Sequence, residues 1–248
     1  MEKENFRKGI YILPNFFTSM NIFCGFYAII ASVDGHFVEA AIAILIGGIF
    51  DLLDGKIARA TNTTSKFGIE YDSLADLVTF GMAPALMMIL WTLKPMGRLG
   101  WVAGFLFMIC GALRLARFNT TAGTPESSSN FEGLPIPAAA AMTAVSVLLF
   151  SRLNIEPAQY RIIFLVMLYF LSFCMVSSIK YNSFKHVSLF KRMKFNWLVR
   201  LVLILATIAY EPWIVLFAVL SVYVISGPAS FLYSYHVMLP GQRNKEEK

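Results

Sequence analysis

Long, uninterrupted runs of apolar residues are the feature that most limits how this chain folds. A helix of about 20 apolar residues crosses the hydrocarbon core of a bilayer, and runs of that length recur along almost the whole sequence. The chain is 57% hydrophobic and only 15% charged over 248 residues, which is much less charge than a soluble domain carries. The pattern predicts an all-α, polytopic integral membrane helix bundle that forms one membrane domain, residues 1–248.

Eight candidate transmembrane spans follow from these runs. They are residues 15–33, 38–57, 72–93, 99–115, 136–153, 160–177, 197–209 and 213–235. Cytoplasmic loops of membrane proteins are enriched in Lys and Arg, and eight spans with both termini cytoplasmic put 17 of the 21 basic residues on that side. We therefore expect a multi-pass protein of the cell membrane, whose net charge of +6 does not indicate nucleic acid as a partner.

Four aspartates interrupt the apolar pattern of the second and third spans. Asp51 and Asp54 are three residues apart, and Asp72 and Asp76 are four apart, so each pair shares one face of a helix. The polar segment 61–65 between the pairs is typical of a turn. A helical hairpin would therefore bring the four acids together near the cytoplasmic border of the membrane.

Clustered carboxylates in a membrane domain repel one another and need compensating cations. Oxygen ligands suit Mg²⁺, Mn²⁺ or Ca²⁺, and no His or Cys lies nearby to indicate a typical zinc site. The structural alternative is that the acids cap helices or pair with neighbouring basic residues, and the functional alternative is a cation transporter. Gly55 and Ala58 leave room for a bulky ligand, and Arg59 offers a cation to a phosphate, features that a simple cation pathway does not require.

These residues fit the pattern D-x2-D-G-x2-A-R-x8-G-x3-D-x3-D at every defined position. The matching residues are Asp51, Asp54, Gly55, Ala58, Arg59, Gly68, Asp72 and Asp76. The pattern resembles the signature of the CDP-alcohol phosphatidyltransferases. Secondary motifs are similar to those of the bacterial and archaeal type of phosphatidylserine synthase; among them are Tyr-Asp-Ser-Leu-Ala-Asp at 71–76, Arg-Leu-Ala-Arg-Phe-Asn at 114–119 and Gly-Leu-Pro-Ile-Pro at 133–137.

The resemblance implies a transferase that moves the phosphatidyl group of CDP-diacylglycerol to the hydroxyl of L-serine, with CMP as the second product. Glycerol 3-phosphate and an inositol phosphate are the alternative acceptors. The resemblance covers residues 10–140, the expected catalytic core, and leaves 141–248 as additional transmembrane helices. It also implies a homodimer. The distribution of basic residues predicts an active site that faces the cytoplasm, and the carboxylates predict a divalent cofactor, Mg²⁺ or Mn²⁺, with Ca²⁺ as a further possibility.

Each candidate residue has an expected role, and the role of Asp76 as a base comes from the resemblance. The four aspartates are expected to hold the metal, and Asp76 is also expected to act as the general base toward the serine hydroxyl. The expected contacts to the CDP-lipid come from Thr18, Asn21, Gly55, Ala58, Arg59 and Gly68. Arg114 and Arg117 are candidates for the serine carboxylate. Hydrogen bonding between helices is the alternative role for the residues of the first span, and anchoring at the cytoplasmic surface is the alternative for the two arginines.

Overall fold

The structure, a computed structural model, describes residues 2–61, 65–121, 131–181 and 210–243, and within them eight α-helices make up most of the protein. The helices are α1 (Glu2–Val33), α2 (Phe37–Ala60), α3 (Lys66–Asp76), α4 (Ala83–Met88), α5 (Arg98–Thr121), α6 (Ile136–Arg152), α7 (Arg161–Val176) and α8 (Pro212–Arg243). The only strands in this part of the chain are two short pieces, β1 (Phe131–Glu132) and β2 (Lys180–Tyr181), which pair in antiparallel fashion. The predicted all-α class is confirmed.

Five helical stretches of the described residues are long and apolar enough to cross a membrane. They are Pro14–Val33, Lys66–Met96, Arg98–Thr120, Pro157–Val176 and Pro212–Phe231. In addition, α6 is apolar but shorter, and α2 has 24 residues but carries charged side chains in its second half. The chain is thus a multi-pass membrane protein. The number of eight spans and the cytoplasmic termini stay predictions, and the predicted seventh span, 197–209, lies outside the described residues.

The third span begins earlier than its apolar pattern indicates. Its helix starts at Lys66, whereas the predicted span starts at residue 72. The reason is a cap: the Ser65 hydroxyl accepts a hydrogen bond from Gly68 N at 3.0 Å, which satisfies a backbone donor of the first helical turn. Asp72 and Asp76 therefore lie within a formed helix.

Two π-helical turns, Leu77–Met82 and Ile89–Leu93, interrupt the same span on either side of α4. Pro84 lies in the first turn of α4, and because proline has no backbone N–H it cannot make the regular α-helical hydrogen bond there. A wider turn before it relieves that mismatch. The first π turn follows Asp76 directly and changes which side chains of this span face α1 and α2.

The helices pack in a compact arrangement around α1, α2, α6 and the stretch Lys66–Met96. α1 lies along α2 and also contacts the Lys66–Met96 stretch, α5 packs on α7, and α6 lies against α2 and α8. Large apolar side chains such as Phe80, Phe107 and Leu168 are fully buried between them. This interior fixes α1, α2 and α3 relative to one another, and all the acids of the motif lie on the last two.

The two ends of the bundle differ in character. At one end, the α1–α2 turn at Gly35, the end of α6 at Ser151 and the α6–α7 loop at Pro157 line a cavity of about 400 Å³. At the same end, Arg152 forms an ion pair of 2.8 Å with Glu211 ahead of α8. These are loops that the charge distribution assigns to one side of the membrane. The motif acids lie toward the opposite end.

Candidate active site

Two helices of the hairpin supply the acids of the candidate site. The spacing on α2 turns Asp51 and Asp54 to one face, and the spacing on α3 does the same for Asp72 and Asp76. The structure brings Asp51, Asp72 and Asp76 together, with one carboxylate oxygen from each within 4.8 Å of the other two. Asp54 lies outside this three-carboxylate group, three residues further along α2.

Burial of these carboxylates destabilises the metal-free protein. Asp54 and Asp76 are 4% and 8% exposed, and Asp51 and Asp72 are half-buried. Among the described residues, Asp72 Oδ1 is buried and has no hydrogen-bond partner. Three converging carboxylates with an unpartnered buried oxygen fit a hard divalent cation, which prefers oxygen ligands and offsets like-charge repulsion. The cluster could therefore bind a metal ion.

α1 contributes a hydrogen-bond donor to one acid of each helix. Thr18 Oγ1 lies 2.9 Å from Asp54 Oδ2 and donates to it, and Asn21 Nδ2 donates to Asp76 Oδ1 at 3.2 Å. Thr18 is 3% exposed and Asn21 is fully buried. The two residues that the sequence singled out on the first span thus contact the acids themselves.

The small residues of the motif lie near the end of α2 and the start of α3. A Cβ atom at Gly55 would lie 3.6 Å from Arg59 Nη2, so the exposed guanidinium of Arg59 lies over the space that Gly55 leaves. Ala58 is half-buried. Gly68 donates the capping hydrogen bond to Ser65.

The two arginines of α5 differ in their surroundings. Arg114 is partly buried, and its Nε has no hydrogen-bond partner among the described residues. Arg117 instead donates to the carbonyl oxygens of Val176 at 3.2 Å and of Ser177 at 3.4 Å. Arg117 therefore ties α5 to the end of α7, whereas the Nε of Arg114 is left without a protein partner in the described structure.

Sequence reasoning assigned no role to a set of polar contacts around α3. Asn119 Nδ2 donates to Ser73 Oγ at 3.0 Å and to Glu70 Oε2 at 3.3 Å, and the Ser19 and Tyr71 hydroxyls lie 2.9 Å apart. Asn119, Ser73 and Tyr71 all belong to the secondary motifs, but only the fold reveals that they join α5 and α1 to α3.

Comparison with known proteins identifies the family. The model of the CDP-alcohol phosphatidyltransferase family matches residues 11–177, which is more than half of the chain and includes all four acids. The chain belongs to that family. The resemblance read from the eight-position motif is confirmed, and the part of this CDP-alcohol phosphatidyltransferase that the family model matches ends with α7.

Individual relatives agree with the family match. A protein of Helicobacter pylori named CDP-diacylglycerol–serine O-phosphatidyltransferase is 38% identical over 224 residues, which are 90% of this chain and 92% of the relative. A Saccharomyces cerevisiae protein of the same name is 40% identical over 52% of this chain and 51% of its own length. The archaetidylserine synthase of Methanothermobacter thermautotrophicus is 39% identical over 52% of this chain and 54% of its own length. The similarity to the first of these extends over α8 as well as the family core.

Proposed function

We propose that this chain is a CDP-diacylglycerol–serine O-phosphatidyltransferase, which transfers the phosphatidyl group of CDP-diacylglycerol to the hydroxyl of L-serine and releases CMP. The observation that carries the proposal is the convergence of Asp51, Asp72 and Asp76 within a complete family motif. The names of relatives that align with most of the chain support serine as the acceptor. The product is phosphatidylserine, a membrane phospholipid.

The metal site that we assign to this enzyme is made of the four motif aspartates. Asp51, Asp72 and Asp76 supply the converging oxygens, and Asp54 joins them from the same face of α2. We expect Mg²⁺ or Mn²⁺, with Ca²⁺ as a further candidate, because all the ligands are carboxylate oxygens. A bound divalent ion would neutralise the pyrophosphate oxygens of the donor and the charge that develops on departing CMP.

We assign proton transfer to Asp76. Its Oδ1 is held by the Asn21 amide, and as the last acid of α3 it lies deepest in the helical hairpin. As general base it accepts the proton of the serine hydroxyl while that oxygen attacks the phosphorus atom. The phosphorus–oxygen bond to CMP breaks as the new bond forms, so the step needs no covalent enzyme intermediate.

The donor contacts that we assign lie at the rim formed by the two motif helices. Arg59 is exposed and lies over Gly55, so its guanidinium is available to the pyrophosphate, for which it is a well-matched partner. Gly55 and Ala58 keep the neighbouring surface of α2 free of bulk, and Gly68 does the same at the start of α3. Direct contacts from Thr18 and Asn21 to the donor stay a prediction.

For the serine carboxylate we assign Arg114 ahead of Arg117. Arg114 has a buried Nε without a protein partner among the described residues, so it keeps a donor that can bind the serine carboxylate. The Arg117 guanidinium already bonds to two carbonyl oxygens at the end of α7. Its expected contribution is to hold α5 in place.

We further propose that the protein is a homodimer in the cytoplasmic membrane with its active site facing the cytoplasm. The distribution of basic residues supports this orientation. So does the grouping of the α1–α2 turn with the α6–α7 loop at the end of the bundle away from the acids.

An acceptor panel tests the proposed function. Purified protein in detergent is given CDP-diacylglycerol, Mn²⁺ and one of serine, glycerol 3-phosphate or an inositol phosphate, and both CMP release and the lipid product are measured by mass spectrometry. We expect phosphatidylserine from serine and no lipid product from the other acceptors. The Asp51→Ala variant is the matched control for metal-dependent turnover. Transfer only to a phosphorylated alcohol would refute serine as the acceptor, and no CMP release with any acceptor would refute the transferase assignment.

A further inference from the structure

The geometry points to Asn21 as a positioning residue that orients the carboxylate of Asp76, with Thr79 holding Asn21 in place. The inference rests on the proposed function, since it concerns how the assigned base is aimed. It gives Asn21 a role that differs from the direct contact with the CDP-lipid that the sequence predicts.

The first observation is the hydrogen bond itself. Asn21 Nδ2 donates to Asp76 Oδ1 at 3.2 Å, and both groups are almost completely removed from solvent, with Asn21 at 0% and Asp76 at 8% exposure. An amide that donates to one carboxylate oxygen restricts rotation of the carboxyl group. The second oxygen of Asp76 then keeps a constant direction relative to the other two acids.

The second observation is that packing alone does not account for an amide at this position. Asn21 Oδ1 is buried and has no hydrogen-bond partner in the described part of the chain, and an unpaired buried acceptor destabilises the folded state. A leucine of similar size would avoid that penalty. The side chain therefore makes one useful polar contact, with Asp76, at a cost to stability.

The third observation is a contact that fixes the backbone of Asn21. Thr79 Oγ1 donates to the Asn21 carbonyl oxygen at 2.8 Å, and Thr79 is fully buried. Thr79 lies in the π-helical turn that directly follows Asp76, so the turn that ends the acid-bearing helix also binds the residue that orients its last acid.

The close approach of Thr79 requires two glycines. A Cβ atom at Gly25 would overlap Oγ1 and Cα of Thr79, and a Cβ atom at Gly47 would lie 2.6 Å from Thr79 Cγ2 and 3.1 Å from Asn21 Oδ1. Distances this short exclude a side chain at either glycine without a shift of the helices. α1, α2 and the π turn thus meet at one point, directly beside Asn21 and Asp76.

Steady-state kinetics distinguish positioning from direct donor contact. The Asn21→Leu variant keeps the volume and removes the amide, and Thr79→Val keeps the shape and removes the hydroxyl, whereas Thr79→Ser keeps the hydroxyl. Cys24→Ala is the matched control, because Cys24 is buried one turn along α1 beside Gly47 and contacts none of the acids in the described structure. For each variant, kcat and the KM values for CDP-diacylglycerol and serine are measured at saturating Mn²⁺, together with the melting temperature in detergent.

We expect Asn21→Leu to lower kcat by roughly 10- to 100-fold, the usual effect of losing a hydrogen bond to a charged group. The KM for CDP-diacylglycerol should stay within about twofold of the wild-type value, since the substitution removes no contact that binds the donor. Thr79→Val should lower kcat in the same direction, and Thr79→Ser and Cys24→Ala should turn over at close to the wild-type rate.

Three results would overturn the inference. These are an unchanged kcat in Asn21→Leu, a raised donor KM with normal kcat (the result of a direct donor contact), or an equal loss of kcat in Cys24→Ala. If Asn21→Leu does not fold, the two Thr79 variants test the inference. A lower kcat in Thr79→Val together with a normal kcat in Thr79→Ser supports it, and an equal kcat in both variants refutes it. If wild-type protein uses another alcohol instead of serine, the proposed acceptor fails, and the same comparison with that alcohol still tests the positioning role.

Discussion

Replacing Asp76 by asparagine separates the proposed base from the other motif acids. Asparagine has nearly the same shape and retains a carbonyl oxygen that can accept the hydrogen bond from Asn21, which now spans 3.2 Å. It cannot accept a proton at neutral pH. The substitution therefore removes the assigned chemistry while it disturbs the packing of α3 very little.

The structure sets the size and the sign of two effects. Loss of a general base lowers turnover by about 10² to 10⁴, which corresponds to about 3 to 5 kcal/mol in the activation barrier. The free energy of unfolding in the absence of metal should instead increase. Asp76 lies within 4.8 Å of ionisable oxygens of Asp51 and Asp72, and two unit charges 4.8 Å apart repel by about 3.5 kcal/mol at an effective dielectric constant near 20. Asp76→Asn should thus be slower, and at least as stable as wild type in EDTA.

Asp54→Asn is the comparison variant, because Asp54 bonds to Thr18 and lies outside the three-carboxylate group. Its loss should weaken metal and donor binding together, by at least about 10-fold, since even residues that only support metal ligands contribute that much. The assay measures donor affinity and turnover for both variants at saturating Mn²⁺, and their melting temperatures with and without EDTA.

Asp76→Asn should bind CDP-diacylglycerol almost as wild type does and transfer its phosphatidyl group very slowly. If Asp76→Asn loses donor binding as severely as Asp54→Asn, then Asp76 is chiefly a metal ligand and another group takes the proton. A lower melting temperature of Asp76→Asn in EDTA would refute the claim that repulsion among the three acids destabilises the metal-free protein.

Three further predictions test the metal, the packing and the topology. Chelation by excess EDTA should abolish CMP release and added Mg²⁺ or Mn²⁺ should restore it, whereas full activity in EDTA would rule out the metal site. Gly47→Ala should lower the stability by about 1 to 3 kcal/mol through overpacking, because its Cβ would lie 2.6 Å from Thr79; a melting curve that matches wild type would contradict this close approach. Single cysteines placed at Gly35 and Glu211 should react with an impermeant reagent only from outside sealed cells, and labelling of either from the cytoplasmic side would defeat the eight-span arrangement.

The sequence alone was sufficient for the class of protein and for its family. Hydrophobic runs of bilayer length exclude most soluble folds, because such lengths of apolar helix are stable only in lipid or a large core. Local spacing then predicted which acids lie on the same face of a helix, since residues three or four apart share a face. The polar segment 61–65 predicted a turn between the two helices, and the resulting hairpin was the reason to expect all four acids to come together.

Boundaries were less predictable than the spans themselves. The third helix starts at Lys66 because of a cap at Ser65, a polar contact that a hydropathy pattern does not register. The π turns around α4 were also not predicted, because they depend on how Pro84 and the neighbouring helices share space and not on the local composition.

Only the tertiary structure decided which polar residues act together. The sequence indicated that Thr18 and Asn21 share a face of α1, but their partners, Asp54 and Asp76, lie 36 and 55 residues away, a distance that no local periodicity spans. The different settings of Arg114 and Arg117, identical in type and three residues apart, likewise come from α7, whose end accepts hydrogen bonds from Arg117. Local spacing determines which side chains a helix presents on each face, whereas the contacts between helices determine what each of those side chains meets.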